Sequence, residues 1–109
     1  MPLSRYALLL AFLPIPTLAV AQQDMQFPNA SETVPELIQL YDAADSNCRL
    51  SKSDDVEVKV ACLSRSAYGA ALNERNWCYG KESDSNATME WHECGADSLR
   101  FPPFEATGL

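Results

Sequence analysis

Four cysteines at near-equal intervals, Cys48, Cys62, Cys78 and Cys94, constrain this chain more than any other feature of its sequence. Neighbours are separated by 13, 15 and 15 residues, spacings that fit no Cys-x-x-Cys redox or zinc-ribbon motif. An even count of cysteines in a short chain reads as two disulfides if the chain leaves the reducing cytosol. The N-terminus supplies that condition. Arg5 is followed by an apolar run from Tyr6 to Leu18 and by the small residues Ala19-Val20-Ala21, the layout of a secretory signal peptide over residues 1–21. The run falls short of the roughly 20 apolar residues needed to cross a bilayer and carries Pro14 and Pro16. Cleavage therefore precedes Gln22, and no membrane span is expected in the mature chain.

The 88 remaining residues suffice for one domain whose core is marginal without cross-links. Each loop closed by a disulfide of this spacing contributes about 3 kcal/mol in the chain-entropy model. Seven Lys and Arg then face fifteen Asp and Glu, a net charge of −8. Such a surface repels nucleic acid and anionic lipid and attracts a basic protein. It also keeps an exported protein soluble, which needs no partner at all.

Residues 22–32 have no apolar periodicity and read as a flexible lead-in. Order begins at Thr33-Val34-Pro35-Glu36, a capping box with proline in the first turn. Val34, Leu37, Ile38, Tyr41 and Ala44 follow at helical spacing, so a first helix runs from Val34 to Ser46 and packs through that stripe. Asn47 to Asp54 reads as a loop, with Ser53 or Asp54 capping a second helix. Val56, Val60, Leu63, Ala67, Ala70 and Ala71 share one face of that helix, which ends near Asn76. Val56 to Val60 also alternates like a strand, but no comparable strand is available to pair with it.

The expected fold is mainly α: a disulfide-stapled antiparallel helical hairpin over residues 33–96, closed by a cross-linked loop or short third helix. A Pro-containing tail spans residues 97–109, where Leu99, Phe101 and Phe104 can fold back or stay free. Cys48–Cys62 with Cys78–Cys94 is the preferred connectivity. An intervening helix would hold Cys62 and Cys78 roughly 20 Å apart. The main competitor, Cys62–Cys94, brings the last segment back along the second helix but leaves Cys48 and Cys78 at opposite ends, and the sequence alone does not choose between the two.

Chemistry is concentrated between Asn76 and Cys94, which holds both tryptophans, Trp77 and Trp91, and the single histidine, His92. Met89 and Trp91 lie two apart, a spacing suited to an extended segment, and the expected result is a disulfide-closed loop with its two indoles close together. Trp77, Tyr79 and Trp91, stiffened by the cross-link and accompanied by His92, form a candidate binding surface. The same rings equally complete a core otherwise rich in alanine and valine.

His92 with Cys78 and Cys94 suggests zinc, but oxidised sulfurs are not ligands and a fourth group is missing, so no metal or cofactor is assigned. Glu90 and Glu93 form a carboxylate pair of the kind any acidic surface offers. Ser64 or Ser66 with His92 lacks a nucleophile-elbow motif. Asn29 and Asn86 head N-glycosylation sequons that matter only where the modifying machinery exists.

Cys48, Ala61-Cys62, Asn76-Trp77-Cys78-Tyr79-Gly80-Lys81 and Trp91-His92-Glu93-Cys94-Gly95 together resemble a family of small, uncharacterised exported proteins of Gram-negative bacteria. The resemblance covers roughly residues 34 to 100. It implies a periplasmic location and the four-cysteine framework, and it carries over no catalytic residue. The expected function is a non-catalytic exported binding protein, an inhibitor or immunity-type protein for a basic cell-wall hydrolase. A small metal-binding or enzymatic domain centred on His92 is one alternative, and an envelope structural or stress protein is another.

Overall fold

The computed structural model describes residues 25–50 and 54–106. Residues 1–24, with the expected signal peptide, residues 51–53, with the proposed cap Ser53, and residues 107–109 lie outside the described residues.

Helix α1 spans Val34–Cys48 and starts at the capping box. The Thr33 hydroxyl accepts from the Glu36 amide and the Glu36 carboxylate accepts from the Thr33 amide, so two of the donors that a helix start leaves unpaired are satisfied. Leu37, Tyr41 and Ala44 bury the stripe that their spacing marks. Helix α2 spans Val56–Glu74, with Asp55 at its N-cap. The strand-like alternation at its start resolves as helix.

Its buried face, however, is rotated from the expected one. Val58, Ala61, Gly69, Ala70, Ala71 and Leu72 are buried, while Val56 and Val60 remain 75% and 49% exposed. Two tethers turn the helix this way. Cys62 must meet Cys48 at the end of α1, and Arg65 donates to Asp45 on α1 at 2.9 Å. The small Ala61 and Ala71 then face α1, Ala71 in one cluster with Leu37 and Tyr41 and Ala61 beside Ala44.

The helix stops at Glu74 because Asn76 takes the left-handed conformation, with φ of 67°. That turn launches strand β1, Trp77–Tyr79. Gly80, with φ of 88°, ends it, and a single 3-10 turn at Asn86–Thr88 leads to strand β2, Trp91–Glu93. The strands pair antiparallel in the register Trp77↔Glu93, Cys78↔His92 and Tyr79↔Trp91. The extended alternative for this segment is thus the one adopted, and the architecture is a helical hairpin plus a β-hairpin. The described residues carry no third α-helix.

The disulfides are Cys48–Cys62 and Cys78–Cys94, with Cα separations of 4.6 and 5.0 Å. The bridge holds Cys62, in the second turn of α2, beside Cys48 at the end of α1, which resolves its apparent offset. Two such cross-links persist in an oxidising compartment rather than the cytosol. No described helix is long and apolar enough to cross a membrane.

Leu37, Tyr41, Ala71 and Leu72 form the central cluster, and Phe27, Tyr68, Trp77, Trp91 and Phe101 pack around it. Phe27 and Phe101 belong to the segments read from sequence as lead-in and tail. Residues 25–32 are not free: the Gln26 and Phe27 amides donate to the Glu74 carboxylate at 2.6 and 2.9 Å. The Arg75 guanidinium donates to the carbonyls of Ala30 and Glu32. In the tail, the Phe104 amide donates to the Gln26 side chain, which donates back to the Phe104 carbonyl. Each end of the domain therefore fastens the other to the end of α2.

Phe101 is seated directly on Gly69. A Cβ added at Gly69 would lie 2.7 Å from its ring, and the ring is anchored by the Phe101 amide donating to Asn73 at 2.6 Å. Gly69→Ala is expected to destabilise by about 1–2 kcal/mol, overpacking outweighing the gain in helix propensity. In a Phe101→Ala background the same substitution should become neutral or stabilising. Urea unfolding of the four proteins in this cycle checks it, and an equal cost in both backgrounds would remove the contact from the explanation.

Candidate functional site

The β-hairpin places its residues on two faces. Trp77, Tyr79 and Trp91 share one, and Cys78 and His92 share the other, because successive side chains of a strand alternate and paired residues align.

The aromatic face turns inward. Tyr41 of α1 is its hub, with ring centroids 6.0 Å from Tyr79, 5.7 Å from Phe101 and 5.1 Å from Trp91, the last in an edge-to-face arrangement. Trp91 also lies 5.1 Å from Tyr79 and 6.2 Å from Phe101. The register puts Tyr79, not Trp77, opposite Trp91, so the two indoles share a face as diagonal neighbours. Trp77 packs against the central cluster in its own right. The Trp91 indole N–H is buried without an acceptor, a cost tolerable only because the ring is used for packing. All three aromatic candidates are half-buried in the core.

Burial also perturbs Tyr41. Its phenol is held above the ordinary value of 10, first by desolvation and then by the Asp45 carboxylate. Because the folded value exceeds the unfolded one, the stability linked to this group is fully present below pH 10. It is lost as pH rises towards the folded value, by up to about 1.4 kcal/mol per pH unit. Urea midpoints measured between about pH 9 and 11 should fall more steeply for wild type than for Tyr41→Phe. Identical slopes would contradict this assignment.

His92 faces the other way. Its Nδ1 lies 3.0 Å from the Glu90 carbonyl, which can only accept, so Nδ1 carries the proton. Nε2 then accepts from the Ser98 hydroxyl at 2.8 Å, and Ser98 Oγ accepts from the Gly95 amide at 2.8 Å. Ser98 in turn bridges to Lys81, extending the β-hairpin by one edge contact. The relay locks the turn after Cys94. It is a hydroxyl–imidazole pair, but a peptide carbonyl stands where a nucleophilic triad places a carboxylate.

Ser66, considered from sequence as a partner of His92, donates instead to the Cys62 carbonyl within α2. Cys78 and Cys94, considered as zinc ligands, are bonded to each other. No cluster of three His, Cys, Asp or Glu suited to a metal occurs among the described residues. Asn29 and Asn86 are exposed, the latter opening the 3-10 turn.

A second feature lies on the helical hairpin. A groove of about 480 Å³ runs between α1 and α2, with Leu40, Leu50, Val56, Glu57, Val60 and Tyr68 among its lining residues. Four of the six large hydrophobic side chains exposed among the described residues line it: Leu40, Leu50, Val56 and Val60. A signal for it was present in the sequence. Val56, Val58 and Val60 cannot share one helical face, so burying Val58 leaves the other two without a place in the core.

The charges are left largely unneutralised. Among the described residues the ion pairs are Arg49 and Arg65 with the same carboxylate, Asp45. No family model, curated protein or solved structure matches the chain.

Proposed function

We propose that this chain is a non-catalytic exported binding protein, acting in the periplasm or beyond it, whose partner is a basic protein. An inhibitor or immunity-type protein that covers a cationic cell-wall hydrolase is the form that best suits its chemistry. The observation that carries the reading is the charge balance. The described residues hold fourteen Asp and Glu against six Lys and Arg. Three of those six are already engaged, Arg49 and Arg65 on Asp45 and Arg75 on backbone carbonyls. What remains is a negative field on a cross-linked scaffold, which steers and retains a positively charged surface. The resemblance to small exported Gram-negative proteins agrees with the compartment.

The test is calorimetric titration of a purified cationic muramidase with the oxidised mature protein, alongside the hydrolase assay. Binding that slows hydrolysis and weakens between low salt and about 0.5 M salt is expected. Absence of both binding and inhibition counts against the reading.

The Ser98–His92 hydrogen bond of 2.8 Å favours one second reading, a hydrolytic site at the turn after Cys94. A fluorophosphonate probe decides it: labelling of Ser98 that disappears in His92→Ala supports hydrolysis, and no labelling leaves the relay a structural lock.

A further inference from the structure

We infer that the groove between α1 and α2 is the docking site for a cationic, amphipathic helix presented by the basic partner. This rests on the binding reading above and relocates it, because the aromatic residues that the sequence offered as a hot spot are built into the core.

The groove has the form such an occupant needs. From Val56 to Tyr68 its α2 wall is thirteen residues long, roughly 18 Å of helix or a little over three turns. The opposite wall is α1, so a third helix laid along the pair completes a bundle. Leu40, Leu50, Val56 and Val60 are 37%, 56%, 75% and 49% exposed, which leaves an apolar stripe ready to take the i, i+3, i+4 residues of an incoming helix.

Charge selects the occupant. Glu57 lies in the lining, and Asp54 and Asp55 are exposed beside Val56 at the start of α2. A lysine- or arginine-flanked helix meets these carboxylates, whereas a second copy of this chain would bring the same acidic residues, and its own net negative charge, against them. An anionic membrane surface is repelled for the same reason.

The probe is a labelled Leu/Lys peptide of about three helical turns with leucine at i, i+3, i+4 and i+7. Its controls are a scrambled peptide of equal composition and a Leu/Glu counterpart. Fluorescence anisotropy is read with wild type, with Glu57→Gln, and with Leu40→Gln/Val60→Gln, whose sites are exposed enough to leave the fold intact by circular dichroism. Wild type is expected to bind the Leu/Lys peptide at least about tenfold more tightly than the groove variant does, and more tightly than either control peptide is bound. Glu57→Gln should weaken binding and flatten its salt dependence.

Equal binding by wild type and the groove variant, or equal binding of the scrambled or Leu/Glu peptide, overturns the inference. So does concentration-dependent dimerisation that the groove substitutions abolish, since the occupant would then be a second copy. The same variants titrated with the cationic muramidase separate the two claims. Equal muramidase affinity for wild type and groove variant overturns the groove and leaves the acidic binding protein standing. Groove-dependent peptide binding without any muramidase binding upholds the groove and rejects the hydrolase as partner.

Discussion

Replacing Cys78 and Cys94 together by alanine is expected to lower the stability of the mature protein by about 3 kcal/mol or more. It should cost more than the same change at Cys48 and Cys62. Loop closure treats the two bridges almost alike, with sequence separations of 16 and 14. Their surroundings differ. Cys78 is fully buried, at 0% exposure, and its bridge joins strands of only three residues each, too short to persist as an isolated hairpin. Cys48 and Cys62 are partly exposed and staple two helices that already share an interface and the Arg65–Asp45 pair. Urea unfolding of both double variants, followed by circular dichroism and tryptophan fluorescence, checks the order. Loss of near-ultraviolet signal with retained helix is the expected signature for Cys78→Ala/Cys94→Ala, and a larger cost at Cys48 and Cys62 would contradict it.

Trp91→Ala is expected to cost about 3 kcal/mol of stability, because the indole is the ring that Tyr41, Tyr79 and Phe101 all meet. Trp91→Phe should recover more than half of that loss. Phenylalanine keeps an aromatic ring in the cluster and removes an indole N–H that has no acceptor. Below the unfolding transition, neither substitution should change affinity for a cationic partner. Thermal unfolding measured beside peptide anisotropy separates a packing residue from a binding one. A Trp91→Ala protein of unchanged stability and reduced affinity would return the aromatic face to the role of binding surface.

Much of the helical hairpin was legible in the chain. Thr33 and Glu36 cap α1, Leu37, Tyr41 and Ala44 bury it, and Asn76 terminates α2, all local effects of neighbours within a few residues. The disulfide pairing was legible as a preference, since it follows from how far a helix separates its ends. The face of α2 was not. Counting hydrophobic residues favours Val56 and Val60, but the helix is rotated by a covalent tether at Cys62 and by the Arg65–Asp45 pair.

The lead-in was misread, and the tail left open between folding back and staying free, for a related reason. Glu74 gathers the Gln26 and Phe27 amides, and Gln26 clasps Phe104, through contacts 47 to 78 residues apart. No periodicity announces a carboxylate waiting for two amides. The aromatic residues pose the same difficulty: composition identifies Trp77, Tyr79 and Trp91 as consequential, and only their contacts with Tyr41 and the central cluster separate packing from recognition. Ser98 escaped notice as the partner of His92 because a turn, not a motif, brings it there.

The two cross-links carry the fold and the compartment together, and peptide mapping of the non-reduced mature protein from an oxidising host tests them most directly. The expected result is no free thiol, no bound metal and two linked peptide pairs, Cys48 with Cys62 and Cys78 with Cys94. A Cys62–Cys94 linkage would contradict the fold, and two free thiols with bound zinc would contradict the stapled scaffold and move attention to His92.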